Sequence, residues 1–360
     1  MKTLLVTLEY TPFKGGVAEY YSNIFENWQD DNFFVLTQTT TEKINENKRI
    51  IRKNLLSKFF SWLPTFYYLY KEIKRNKFKH ILVGQILPIG TIVWFMSLFF
   101  DFKYSVILHG MDYTFSQKRK RKKILTKFIL NKAQNIIVSN SYLQKIVTND
   151  YQNFSSKIFL VNPGVTDKNI SISETTDTKK EFQICFVGRL VKRKGIDRTI
   201  EALQNIDKNK YPNINFVIAG SGPDENYLKN ISKDERIKFV GKINDTEKWQ
   251  LLATSDVFVM PARNIAGDFE GFGIVYLEAN LAGLPVIACN TGGVSDAVIN
   301  NETGLLLEND DTENIKNAII KFYENKDWSR SLGEKGKTRA KNDFTWEKQT
   351  KQIFEIINKT

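Results

Sequence analysis

Residues 269–279, FEGFGIVYLEA, place two glutamates, Glu270 and Glu278, around a glycine-flanked turn that opens an apolar helix. The apolar, β-branched run SDVFVMP before them reads as a strand. The glycines between let the backbone N–H groups of Phe272, Gly273, Ile274 and Val275 point at an anion, where the helix dipole adds to the attraction. A diphosphate suits that place. Glu270 lies just outside the first helical turn and Glu278 about two turns on, near the same face at 3.6 residues per turn. One carboxylate can hold sugar hydroxyls and the other a ribose diol, which is the chemistry of a nucleotide sugar. Taken alone, the same spacing also describes an ordinary strand–loop–helix, with Glu270 a cap and Glu278 a solvated helix residue.

Other residues could serve the same chemistry. Gly15 and Gly16 follow the first strand, with Pro12 before them and a helix beginning near Val17, and such a pair lets a loop approach a phosphate or sugar closely. A second pair, Gly292 and Gly293, recurs at the equivalent place in the second half. In GRLVKRKG, Arg189 and Lys194 stand at the end of a strand, where fixed cations can stabilise a departing diphosphate; a solvated basic loop is the plain alternative. His109, in LHGMD, is either a hydrogen-bonded structural residue or a ligand contact, and His80, in a basic run, is read as structural. VIAGSGP puts Gly220 and Gly222 at a strand end that either faces a nucleotide or simply turns. No DxD pair ends a strand and no His/Cys cluster has metal-ligand spacing, so a metal-independent reaction without cofactor is expected.

In order and spacing, GGVAEY, LHGMD, VSNSYLQKIV, NPGV, FVGRLVKRKG, VIAGSGP, FEGFGIVYLEA and ACNTGGVSDAVINNETGLLL resemble the retaining glycosyltransferases of family four. The resemblance runs over nearly the whole chain. It implies the GT-B fold, an α/β architecture of two Rossmann-like domains facing a cleft, with a C-terminal helix crossing back to the first. It implies transfer of a sugar of mannose or glucose type from a GDP- or UDP-linked donor to a hydroxyl of a glycan or lipid-linked acceptor, in cell-surface polysaccharide or glycolipid synthesis. The departing phosphate oxygen would itself take the acceptor proton. Carried over by position, Glu270 would hold donor-sugar hydroxyls and Glu278 the ribose. Arg189 and Lys194 would hold the phosphates as an R-x4-K pair, leaving Lys192 and Arg193 solvated. His109 would position a sugar hydroxyl, Gly15 and Gly16 would lie near the donor diphosphate and acceptor, and Gly220, Gly222 and Ile243 would line the nucleotide. The loop ARNIAGDFEGFGIVYLEA closely resembles that of mannosyltransferases that use GDP-mannose, including those acting on phosphatidylinositol, although UDP-sugar enzymes share every motif quoted. Asp296 stands where the family usually has glutamate. A sugar-nucleotide epimerase on the same fold, or a nucleic-acid-binding protein, is the rival reading; LHGMD with E-x7-E opposes the first, and no nucleic-acid module supports the second.

Composition sets the frame. A chain of 360 residues suits two domains, and 42% hydrophobic with 26% charged residues is ordinary for a globular protein. Twelve short apolar runs alternate with helical patterns in two halves, which predicts parallel sheets covered on both faces. The expected division is 1–165 for an acceptor-binding domain, 166–180 for a polar linker, 181–342 for a nucleotide-sugar-binding domain, and 343–360 for the crossing helix. No signal peptide leads the sequence, so the cytoplasm is expected. Cys185 and Cys289 sit in strand-like runs as buried thiols. The net charge of +12 is uneven: residues 1–165 hold 24 Lys and Arg against 11 Asp and Glu, and the remaining residues hold 28 against 29. Six consecutive cations, residues 118–123, precede an amphipathic helical pattern. The run PIGTIVWFMSLFF is too short to span a bilayer and reads as a buried helix. The aromatic, lysine-flanked segment from Leu55 reads either as core or as a helix lying in a lipid interface. An anionic membrane surface is therefore an expected partner, with the protein peripheral on the inner face of the cell membrane.

Overall fold

The computed structural model describes residues 1–13, 15–42, 47–57, 62–167 and 181–359. The expected linker falls mostly on residues outside these. The chain divides into two compact units, residues 1–164 with 346–360, and residues 165–345.

The first unit runs β1 (Thr3–Val6), α1 (Gly16–Glu26), β2 (Phe33–Gln38), β3 (Ile50–Lys53), α2 (Leu63–Asn76), β4 (His80–Val83), α3 (Ile89–Met96), β5 (Lys103–Leu108), α4 (Met111–Gln117), α5 (Lys120–Lys132), β6 (Asn135–Val138), α6 (Ser141–Asp150) and β7 (Ile158–Leu160). Its seven strands form one parallel sheet in the order β3-β2-β1-β4-β5-β6-β7. The second unit runs β8 (Phe182–Val187), α7 (Ile196–Gln204), β9 (Ile214–Ala219), α8 (Glu225–Ile231), β10 (Ile237–Gly241), α9 (Asp245–Thr254), β11 (Val257–Met260), α10 (Ile274–Leu281), β12 (Val286–Cys289), α11 (Val294–Ala297), β13 (Gly304–Leu307), α12 (Thr312–Glu324) and α13 (Lys326–Asp343). Its six parallel strands are ordered β10-β9-β8-β11-β12-β13. The last helix, α14 (Trp346–Asn358), returns to the first unit. Trp346 meets Tyr20 of α1 edge-on at 5.4 Å, Phe354 meets Trp28, and the Ile356 carbonyl accepts from Asn135 Nδ2 at 3.3 Å.

All twelve apolar runs contain strands. Every residue of β1, β4, β6, β11 and β12 is buried, as strands covered on both faces must be. The strand not foreseen is β3, IIRK, a half-exposed edge strand whose polar composition hides it. Helix starts follow local chemistry. Asn140 accepts from Leu143 N at 2.8 Å to cap α6, and Asn244 and Glu247 form a reciprocal capping box on α9. Cys185 and Cys289 are buried and free. Two expectations for the first unit need correction. Of the six consecutive cations, the last four lie inside α5 rather than before it. The run read as a buried helix buries Ile89, Ile92, Val93 and Met96 but leaves Phe95, and Leu98 and Phe99 just beyond the helix, exposed, because α3 turns only one face to the core.

Functional loops gather where β-strands end, and in the second unit glycines bring those ends together. Gly220 has φ +139°, and a Cβ there would lie 1.8 Å from the Gly188 carbonyl; one at Gly222 would lie 2.2 Å from the Leu190 carbonyl. Close packing of the β8 and β9 ends therefore explains both glycines without a ligand. Gly220→Ala is expected to lower unfolding free energy by about 2 kcal/mol or more, a strained backbone added to a clash. A urea melt of that variant with an unchanged midpoint would show that the β8 end yields easily.

Candidate active site

Three loops of the second unit meet at Glu270. The 310 turn at residues 192–194 ends at Gly195, whose φ of +71° and lack of Cβ allow it to lie on the Pro261 carbonyl, where a Cβ would sit 2.1 Å away. Arg263 N donates to the Arg193 carbonyl at 2.8 Å, tying this loop to the end of β11. A tight turn at residues 265–268 then leads to Glu270, and the Gly292–Gly293 turn supports it from behind: Gly293 N donates to the Glu270 carbonyl at 3.0 Å, and a Cβ at Gly292 would lie 2.2 Å from that oxygen. Glu270 itself is 8% exposed.

A buried carboxylate requires cations. Lys194 Nζ donates to Glu270 Oε2 at 2.6 Å, and Arg193 Nη1 donates to the same oxygen, while Arg193 Nε stands 3.0 Å from Asp268 Oδ1. Burial alone would raise the Glu270 pKa, but the charges of Lys194 and Arg193 outweigh it and hold the carboxyl below its usual range. Arg193 is thus a paired residue whose side chain is 19% exposed, and the expectation that it is solvated is corrected. Both cations sit on Oε2; among the described residues Oε1 accepts no hydrogen bond and remains available. Arg189 is exposed and makes no ion pair among the described residues, so the structure does not bring it onto the Glu270 cluster with Lys194.

Helix α10 starts at Gly273, whose φ of +79° and place over the Tyr276 ring, 2.5 Å from where a Cβ would be, admit no larger residue. Phe272 is buried against Phe344 at 5.8 Å, and Ile274 and Val275 pack on the core, so these three contribute backbone N–H groups rather than side chains. Glu278 follows on α10, half-buried, and accepts from Lys248 Nζ at 2.6 Å through Oε1. Ile243 packs partly on the same core.

In the first unit, β5 delivers His109. Its backbone N–H and that of Gly110 both donate to Asp112 Oδ1 at 3.0 Å, which fixes the turn into α4. Burial raises the Asp112 carboxyl to about 6, against the pull of those backbone donors, and its Oδ2 is buried without a partner. The His109 ring is held edge-on by Tyr20 at 4.8 Å and Tyr21 at 5.4 Å. Its Nε2 lies 2.8 Å from the Tyr21 hydroxyl, which donates its own proton to the Gly84 carbonyl at 2.5 Å. That hydroxyl has one proton, so Nε2 must be the donor to it, and Nδ1 is left as an unprotonated acceptor. Burial lowers the His109 pKa to about 4, keeping the ring neutral near pH 7. Gly15 and Gly16, on the loop after β1, have little protein reason to be glycine: a Cβ at Gly15 makes ordinary contact with Phe13, and one at Gly16 meets nothing. Open space there suits a ligand. His80 is buried in the sheet, its Nε2 3.0 Å from Ser105 Oγ, a structural place as expected. Among the described residues, no group of three His, Cys, Asp or Glu side chains could hold a metal ion.

Residues missed at sequence level are Tyr21, Asp112, Arg193, Asp268 and Lys248. Tyr21 had a signal, four residues beyond Val17 on the helix that follows the glycine pair, and Asp112 had one in the LHGMD turn it closes; Arg193, Asp268 and Lys248 became visible only through partners distant in sequence.

Residues 167–339 match the family described as glycosyl transferases group 1. An uncharacterized glycosyltransferase of Methanocaldococcus jannaschii is 27% identical over 97% of this chain and 95% of its own. A GDP-mannose-dependent monoacylated alpha-(1-6)-phosphatidylinositol monomannoside mannosyltransferase of Corynebacterium glutamicum is 25% identical over 99% of this chain and 97% of its own. Among solved structures, Anabaena HepE in complex with UDP superposes with a TM-score of 0.82 at 17% identity, covering 100% of both chains. The fold is that of the solved GT-B glycosyltransferases, two Rossmann-like units, and the second unit carries the segment that matches the group 1 transferases.

The tautomer of His109 is open to test. Tyr21→Phe removes the acceptor that holds Nε2–H, so 15N NMR of the imidazole should change from a single Nε2–H form to a mixture. If His109 positions a substrate hydroxyl, kcat should fall about tenfold, the cost of about one hydrogen bond. An unchanged tautomer would show that the Tyr21 contact does not orient the ring.

Proposed function

We infer that the enzyme is a retaining, metal-independent hexosyltransferase that moves a mannose- or glucose-type sugar from a nucleoside diphosphate to a hydroxyl of a glycan or lipid-linked acceptor. The observation that carries this reading is Glu270, a buried carboxylate with one oxygen held by two cations and the other free beside the N-terminus of α10. Oε1 is placed to accept donor-sugar hydroxyls. The first N–H groups of α10 take the diphosphate, Arg189 supplies an uncommitted charge, and the Lys194 ammonium, with one of its three donors on Glu270, has two left for phosphate oxygens. Charge that develops on the leaving diphosphate is thereby met by fixed donors, worth about 3–4 kcal/mol for each good one. Glu278, about one turn into α10, keeps Oε2 for the ribose diol, with Lys248 on Oε1. His109 has a positioning role, its Nδ1 accepting from a sugar hydroxyl. The whole-length resemblance to the Corynebacterium mannosyltransferase favours GDP-mannose as donor and a lipid-linked acceptor.

Incubation with a panel of GDP- and UDP-sugars, without added metal and with a chelator, is expected to release nucleotide from GDP-mannose, and NMR of the transferred or hydrolysed sugar should first show the anomer of the donor. Inverted anomeric configuration, or turnover abolished by the chelator, would contradict the proposed mechanism.

A further inference from the structure

Three neighbouring helices of the first unit carry their aromatic residues outward. On α2 the exposed stripe is Leu63, Tyr67 and Tyr70, spaced i, i+4, i+7, and it ends in Lys74, whereas Thr65, Leu69 and Ile73 face the core. Phe95 of α3 joins Phe66 of α2 at 6.3 Å and Phe99 at 5.2 Å; Tyr70 joins Phe100 at 5.7 Å; and Trp94 of α3 stacks on Phe128 of α5 at 5.6 Å. The aromatic surface is therefore continuous across α2, α3 and α5. Beside it lies an open hollow of about 500 Å³ lined by Leu63, Pro64, Phe66, Tyr67, Tyr68 and Tyr70. An apolar face of this size on one domain calls for a covering.

Its charge identifies the covering. Residues 62–132 hold 14 Lys and Arg against 3 Asp and Glu, which is +11 of the chain's +12. Of the three acids, Glu72 is buried and accepts from Asn76, Asp112 is committed to the His109 turn, and only Asp101, paired with Lys79, is exposed. Residues 118–123 make no ion pair among the described residues. Four of them crowd the first turn of α5, where the helix dipole disfavours cations and no acidic residue compensates. Lys118 and Lys122 lie over the Phe115 ring at 4.5 and 5.9 Å, so cations and aromatics are interleaved. A water-soluble anion would satisfy the lysines and leave the aromatic face wet, and an apolar protein surface would leave the lysines unpaired.

We propose that the α2–α3–α5 face is a docking surface for an anionic lipid bilayer, with Tyr67, Tyr70, Phe95 and Phe99 entering the headgroup–acyl boundary and residues 118–123 on acidic headgroups. Cations attract the protein to the surface and aromatic rings, amphipathic enough for the interface, fix it there. No helix among the described residues is long and apolar enough to cross a membrane. Helix α4 starts at the His109 turn and is only seven residues, about 10 Å, long, so docking brings the His109 end of the sheet near the membrane surface. The inference stands apart from the sugar-transfer reading.

The test is sedimentation of the full chain with phosphatidylcholine vesicles and with vesicles containing 30% phosphatidylglycerol, at low and high salt. Binding should be about tenfold or more stronger to the anionic vesicles and weaken with salt. Neutralising residues 118–123 to glutamine, and separately the exposed pair Phe95→Ser with Phe99→Ser, should each reduce it at least about tenfold, with nucleotide release from donor sugar unchanged. Loss with the charge variant alone would assign the lysines to a soluble polyanion and overturn the proposal. So would equal binding to neutral vesicles, or a dimer in solution that the Phe95/Phe99 variant dissociates.

Discussion

The charge cluster on Glu270 is the interaction on which the second unit depends. Taking a carboxylate out of water costs several kcal/mol, and the cost is offset here only because Lys194 and Arg193 converge on one oxygen with Asp268 balancing the second cation. The cluster in turn dictates backbone. Gly195 must lie on Pro261, Gly292 must lie on the Glu270 carbonyl, and Gly273 must turn over Tyr276 before α10 can start. Gly273 and Gly292, which read as ligand-facing in the sequence, are thus with Gly195 first the means by which three loops come close enough to share one buried ion cluster. The chemistry follows from the asymmetry of that cluster: one oxygen is neutralised, the other is held rigidly in place and unpaired.

The first unit solves a similar problem with a neutral group. His109 is fixed by rings on two sides and by the Tyr21 hydroxyl, which passes its own proton to Gly84. Tyr20 also touches Trp346, so α14 braces the wall of the His109 site, which gives a physical reason for the chain's return to the unit where it began. A carboxylate in this place would demand a cation; a neutral imidazole with its tautomer set offers a hydrogen-bond acceptor without one.

Both sheets and all but one of their strands were legible because buried parallel strands leave continuous apolar runs, and IIRK escaped because an edge strand need not be apolar. Glu270 and Glu278 were legible as a spaced pair on a recognisable turn. Arg193 was not: in KRK, three adjacent cations are chemically alike, and only the fold decides that the second and third face Glu270 while Lys192 faces water. Gly220 and Gly222 were legible as special positions, but the structure supplies a packing reason where the sequence suggested a nucleotide. Residues 88–100 illustrate the same limit, since hydrophobicity reveals that a helix is apolar but not which of its faces the fold leaves uncovered.

The division of labour between the two glutamates is the central claim, and isothermal titration calorimetry with nucleoside diphosphate, paired with turnover, tests it most directly. Glu278→Gln is expected to weaken nucleoside diphosphate binding by about tenfold or more, since ribose contacts persist in the product. Glu270→Gln should bind the same diphosphate as the unaltered enzyme does, yet turn over about 100-fold more slowly, since contacts to the sugar matter most in the transition state. Unchanged diphosphate affinity in the Glu278 variant, together with lost affinity in the Glu270 variant, would contradict the assignment.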